Sequence, residues 1–144
     1  MKSIPDIELE NKIVSLVEDG NMHHDKKNFA QALVKYTEAW ASLPEVKTEW
    51  EISGWVASCI YSAYFDMSDY ESAKQWAKIS LQTRSSEIDT APLIDLGMVC
   101  YELGELDEAY SYFNDAYEYG KKRAFQERPK KYIDFYLGVK KTTH

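Results

Sequence analysis

The feature that most constrains this chain is a pair of apolar stripes at helical spacing that occurs more than once. Leu93, Leu96, Gly97 and Cys100 fall on one face of a helix at steps of three and four, and Ala109, Phe113 and Ala116 make a matching face further on. Gly97 withholds a side chain where the second helix must come close. Gly104 stands between the stripes, where only glycine enters the left-handed region without cost at a helix end. The same template fits Leu16, Gly20, Ala32, Tyr36, Ala39 and Pro44, with a break at Asp25-Lys26-Lys27-Asn28. A weaker copy runs through Ala57, Ile60, Tyr64, Tyr70, Ala73, Ala77 and Ser80. There Tyr61 stands where the other copies have glycine and Ala77 where they have an aromatic ring, so local packing should be atypical. A hairpin of this kind cannot bury its apolar face alone and must stack on a neighbour.

These residues resemble the tetratricopeptide repeat family. Leu93, Leu96 and Gly97 stand where the family's first helix carries Trp-Leu-Gly, and Ala109, Phe113 and Ala116 where its second helix carries Ala, Phe and Ala. The resemblance covers roughly residues 13 to 123. It implies an all-α fold of three helical hairpins in a short right-handed solenoid, with repeats at about 13–46, 54–87 and 90–123, in a single domain over 1–144. The repeat alanines Ala32, Ala73 and Ala109 are 41 and 36 residues apart where a regular array gives 34. The extra residues are expected to lengthen the first helix of the second hairpin, from Thr48 to Asp66, behind a capping box of Thr48 with Glu51, so that it projects beyond its neighbours. After the third hairpin, Pro129 and apolar residues at 132, 133, 136, 137 and 139 predict a seventh helix over 128–141. Such arrays need a terminal cap, because the last hairpin otherwise exposes its stacking face. The alternative is that this basic, tyrosine-rich helix occupies the groove until a partner displaces it.

With 44% hydrophobic and 28% charged residues, six Gly and four Pro, the composition is that of a folded protein of one domain's length. The opening Met1-Lys2-Ser3-Ile4-Pro5-Asp6 lacks the apolar core of a secretory signal, and no run reaches the roughly 18 apolar residues of a membrane span, so the expectation is a cytoplasmic protein without a membrane partner. The net charge of −7 hides an asymmetry: residues 121–144 carry eight Lys or Arg against two acids, leaving nine basic and 22 acidic residues before them. A body near −13 repels a phosphate backbone, so nucleic acid is excluded as a ligand and a basic protein surface is favoured. Cys59 and Cys100 are isolated in sequence and read as buried free thiols. His23 and His24 point about 100° apart on a helix, with no further histidine before His144, so no metal site is expected. No G-x-S-x-G, phosphate-binding glycine loop, H-E-x-x-H or C-x-x-C occurs. Carboxylates such as Glu105, Asp107 and Glu108 read as a solvated face. No catalytic residue and no cofactor is predicted, and the chain is expected not to be an enzyme.

The resemblance also implies where a partner sits, because the family's concave face is lined by the first helix of each repeat. Alignment places Val14, Val17, Asn21, His24 and Asp25 there from the first copy, Trp55, Ser58, Ser62, Phe65 and Asp66 from the second, and Ala91, Ile94, Met98, Tyr101 and Glu102 from the third. This set holds no Lys or Arg. Val17, Ser62, Ala91 and Asp95 stand where chaperone-binding members hold a carboxyl terminus with charged and amide groups, so a carboxylate clamp is excluded. Trp55 lies outside the apolar stripe through Ala57, Ile60 and Tyr64 and is expected to be exposed, an anchor of the type that dominates binding energy. The predicted function is that of a non-enzymatic protein-binding module, an immunity protein that binds and neutralises a cognate toxin domain with a basic surface. The alternatives are a secretion chaperone holding a client segment in its groove, and a scaffold that forms a homodimer.

Overall fold

The computed structural model describes residues 1–84, 86 and 88–142, and its helices group into two compact units, Met1–Ser85 and Ser86–His144. The end drawn for the second repeat at residue 87 lies outside the described residues, as does His144. No helix among the described residues is long and apolar enough to cross a membrane.

In the first unit, α1 (Ile7–Asp25) and α2 (Phe29–Ser42) form one hairpin, and α3 (Glu51–Asp66) and α4 (Tyr70–Gln82) the next. Asp6 opens α1 by accepting a hydrogen bond from the Leu9 backbone N–H at 3.2 Å. In the second unit, α5 (Ala91–Glu102) and α6 (Leu106–Gly120) form the third hairpin. A 3₁₀ turn (Lys121–Phe125) leads to α7 (Lys130–Thr142).

All three hairpins turn by the same device. Lys27, Ser68 and Gly104 occupy equivalent positions and all have positive φ, at 63°, 62° and 79°. The next N–H in each case, from Asn28, Asp69 and Glu105, reaches back to the carbonyl of His23, Tyr64 and Cys100 at 2.8, 2.9 and 2.9 Å. The positive-φ residue itself donates to His24, Phe65 and Tyr101. This pair of bonds satisfies carbonyls that the helix end would leave open. Each hairpin therefore closes in the same geometry, although glycine occupies the strained position only once.

The core of the first unit joins α1, α2 and α3. Ile13, Val17, Ala32, Tyr36, Ala39, Val56 and Ile60 are fully buried, and burying each large aliphatic side chain contributes roughly 1.5–3 kcal/mol. Gly20 packs directly under the Tyr36 ring and Gly97 under the Phe113 ring, leaving no room for a β-carbon at either position. In the second hairpin the sizes are exchanged as expected, with Tyr61 on the first helix, Ala77 on the second, and both buried.

The expectation for residues 48–66 requires correction. Thr48 lies in a short 3₁₀ turn, Lys47–Glu49, and α3 begins at Glu51 behind Trp50, with no side-chain capping bond. The connector is held by its own side chains: Ser53 Oγ donates to the Lys47 carbonyl, and Trp50 Nε1 to the Pro44 carbonyl at 2.9 Å. On its other side the chain's start pairs with it, Lys2 N–H donating to Glu49 O at 3.2 Å and Glu51 N–H to Lys2 O at 2.8 Å, with Ile4 buried in the core. The extra residues thus build a tethered connector. At 16 residues α3 is shorter than α1 at 19, and is not the longest helix.

Pro129 immediately precedes α7, which buries Tyr132 and Tyr136 beside Phe113 and Phe125. Centroid separations of 5.3 to 6.0 Å and tilted or stacked rings make this a continuous aromatic cluster. With Tyr132 and Tyr136 among its largest buried side chains, α7 is part of the second unit's core.

Candidate protein-binding face

On α1 of the first unit, Val14, Glu18, Asn21 and Asp25 recur at steps of four, three and four and share one stripe; on α3 the corresponding stripe holds Trp55, Cys59, Ser62 and Asp66. A polar network ties the two together. The Tyr36 hydroxyl donates to Asn21 Oδ1 at 2.6 Å, and its oxygen faces His24 Nδ1 at 3.3 Å. His24 Nε2 meets Asp66 Oδ2 at 2.7 Å, joining α1 to α3, while Phe29 packs edge-on against the His24 ring. The Cys59 thiol points at Asn21 Oδ1 at 3.8 Å.

Burial gives this network its chemistry. It raises the Tyr36 hydroxyl well above the ordinary phenol value, helped by the nearby Cys59 and Asp25, and it pushes the Cys59 thiol up to about 11. Both groups are held protonated at neutral pH. They bind and orient; neither is poised as a nucleophile or base.

The residues assigned to the face from the first two repeats divide by exposure. Trp55 is 39% exposed and Asp25 is exposed. Ser58, Ser62, Asn21 and His24 are half-buried, and Asp66 is exposed although tied to His24. Phe65 is half-buried between Tyr61 and Tyr70, at 5.7 and 5.2 Å between centroids. Val17 requires correction: it is fully buried in the core and cannot touch a partner.

In the second unit the assigned residues are already engaged. Ile94 and Met98 are buried, at 0% and 7% exposure, and belong to the core, which corrects their place on an open face. Tyr101 receives the edges of Tyr132 and Phe135, with the Lys131 ammonium 5.7 Å above its ring. Glu102 accepts the Tyr132 hydroxyl at 2.8 Å and pairs with Lys131 at 2.9 Å. Arg128 reaches Asp95 Oδ1 at 2.6 Å and Met98 Sδ at 3.2 Å. Burial raises the Asp95 carboxyl above the usual range, and the Arg128 charge and hydrogen bond pull against that rise. Sequence spacing placed these residues on one face but could not show that α7 covers it, since a partner thirty residues away leaves no local trace.

One further grouping escaped the sequence. Cys100, Glu105 and Glu108 bring their ligand atoms within 4.8 Å of one another, beside an open hollow of about 390 Å³ lined by Gly104–Glu108. The Cys100 thiol points at Glu108 at 3.9 Å, so these acids are not simply a solvated face.

No protein-family model matches the sequence, and no curated protein matches it. Solved structures do. The first tetratricopeptide domain of Spaghetti (RPAP3), bound to the HSP90 peptide SRMEEVD, is similar with a TM-score of 0.69 and 16% identity over 92% of this chain and 94% of that one. The C-terminal tetratricopeptide-containing domain of a putative FK506-binding protein of Plasmodium falciparum is similar with a TM-score of 0.71 and 22% identity, over 97% of this chain and 94% of that one.

Proposed function

With the tetratricopeptide fold as premise, we propose that this protein is a binding module, not a catalyst, and that its 144 residues act as one domain holding a protein partner against the inner face of α1 and α3. The observation that carries the reading is Trp55, an aromatic ring left 39% exposed on a stripe that ends, about 16 Å along α3, at the exposed Asp66, with Asp25 exposed at the end of the α1 stripe. A large exposed ring on a stripe that ends in a carboxylate fits a partner that brings an apolar pocket and, further along, a basic group. The RPAP3 domain, which holds a peptide, supports the use of this fold for that purpose. The remaining set, Asn21, His24, Ser58, Ser62 and Phe65, is half-buried on the same two helices.

The partner we favour is a toxin domain with a basic surface, neutralised in the cytoplasm by this protein as its immunity factor. A face without Lys or Arg suits a cationic toxin and repels nucleic acid. The test is affinity capture from the native host with the wild-type chain and Trp55→Ala side by side. One basic protein, retained by the wild type, lost with the variant, and toxic when expressed without this chain, is the expected result. Retention of no such protein by the wild type overturns the immunity reading. A client held in an extended form and encoded with a secretion apparatus would make it a secretion chaperone instead.

A further inference from the structure

The basic excess of residues 121–144 is used in two different ways. Arg128 and Lys131 are spent inside the second unit, on Asp95 and Glu102. Lys121, Lys122, Arg123 and Lys141 are exposed, and none has a carboxylate partner among the described residues. They belong to one patch, because the Lys121 and Lys140 ammonium groups lie 5.4 and 5.7 Å from the centroid of the same Tyr117 ring. The exposed cations of two neighbouring stretches, 121–123 and 141, thus make a docking surface for an anion.

We infer that this patch is an interface for the acidic inner face of the first unit of a second copy of the chain. The reading rests on the binding face proposed above and names a second occupant for it. Charge complementarity carries it: residues 1–85 bear 13 acids against nine bases, and none of those bases falls on the α1 and α3 stripes, whereas the patch lies in a segment with eight bases against two acids. On α1, Glu18 and Asp25 are exposed on one stripe and, like the patch, have no ion-pair partner among the described residues. A polyphosphate would meet the same cations, but the surrounding negative charge opposes a nucleic acid strand and favours a compact acidic protein surface. Contact between copies would screen the inner face at high concentration and release it to a tighter partner.

Sedimentation velocity at protein concentrations up to about 1 mM, where a contact with Kd near 1 mM registers, tests this at about 10 mM and about 1 M salt, where the screening length falls from about 30 Å to about 3 Å. The expected result is association that grows with concentration at low salt and disappears at high salt. Lys122→Glu with Arg123→Glu should be monomeric alone, as should Glu18→Lys with Asp25→Lys, and an equimolar mixture of the two variants should associate again. Far-UV circular dichroism checks that both fold. A wild-type chain that stays monomeric throughout, or a patch variant that associates like the wild type, overturns the inference. Since the patch variant keeps the inner face intact, its capture of a foreign basic protein is unaffected if only this inference fails. Loss of that capture in the wild type signals failure of the binding face itself.

Discussion

Arg128 Nη1 lies 2.6 Å from Asp95 Oδ1, and the carboxylate it meets is only 6% exposed. Asp95 sits in the middle of a helix buried from Pro92 to Cys100, and a guanidinium from the segment before α7 reaches in to compensate its charge. The two partners are unequal. Arg128, at 23% side-chain exposure, can turn to water when alone, and Asp95 cannot. Arg128→Ala is therefore expected to destabilise the fold by roughly 3–5 kcal/mol at neutral pH, and Asp95→Asn by distinctly less. The folded-state carboxyl is already raised, and losing Arg128 raises it further. Its charged form then opposes folding increasingly as pH rises through that value, so Arg128→Ala should recover stability as pH falls. Urea unfolding at about pH 5 and about pH 7 measures both effects, and equal losses for the two variants at both pH values would contradict the asymmetry.

The glycines under Tyr36 and Phe113 are contact residues, not flexible ones. Adding a β-carbon at Gly97 drives it into the ring carbons of Phe113, and at Gly20 into those of Tyr36, so Gly97→Ala and Gly20→Ala should each cost about 1–3 kcal/mol despite the better helix propensity of alanine. In the second hairpin the large residue is on the other helix. Ala77→Phe should overpack against Tyr61, and Tyr61→Gly in the same chain should relieve part of the strain. Thermal melting of the two single variants and the double one gives the coupling, and strict additivity would show that the two positions do not face each other.

These pairs mark how far the sequence could be read. Gly20 with Tyr36, Gly97 with Phe113 and the exchanged Tyr61 with Ala77 stand at one common separation, so the three hairpins were legible from spacing alone, and α7 from its proline and apolar period. What lay hidden were interactions across long stretches of chain. Lys2 pairing with the connector at Trp50 and Arg128 reaching Asp95 leave no local pattern, and the capping box expected at Thr48 lost to a 3₁₀ turn tied down by Ser53 and Trp50. The face was read in the same measure. Register put Trp55 and Asp25 on an open stripe, but it could not distinguish them from Val17, Ile94 and Met98, which share that register and are buried.

The common hairpin turn makes a prediction in opposite directions at equivalent sites. Gly104, at φ 79°, has no atom near the place where a β-carbon would stand, so Gly104→Ala adds only backbone strain, about 1 kcal/mol. Lys27 and Ser68 already carry that strain at φ 63° and 62°. Lys27→Gly and Ser68→Gly should each raise stability by several tenths of a kcal/mol, relief of strain outweighing the greater freedom of glycine in the unfolded chain. Denaturant midpoints of the three variants decide it. A loss at Lys27→Gly would mean that its side chain does more for the turn than its backbone takes away.

Besides Tyr36, two buried groups shape how the fold responds to base, one in each unit. Burial lifts the Cys59 thiol from an ordinary 9.0 to about 11 and the Tyr136 hydroxyl from 10.0 to about 12, the latter while it donates to Asn114 Oδ1 at 2.7 Å. A raised folded-state value means that the native state holds its proton where the unfolded chain would release it. The stability this contributes is complete below the unfolded value and is lost as pH rises through the folded one. The protein should therefore hold its melting temperature up to about pH 9, then weaken between pH 9 and 11 as the Cys59 advantage disappears, and between 10 and 12 as that of Tyr136 follows. Cys59→Ser and Tyr136→Phe separate the two contributions: the first should flatten the decline in the lower window and the second in the upper one. Melting curves at half-unit steps from about pH 7 to 11.5 provide the measurement. A wild-type curve that stays level through pH 11 would mean that neither proton is held by burial in the native state.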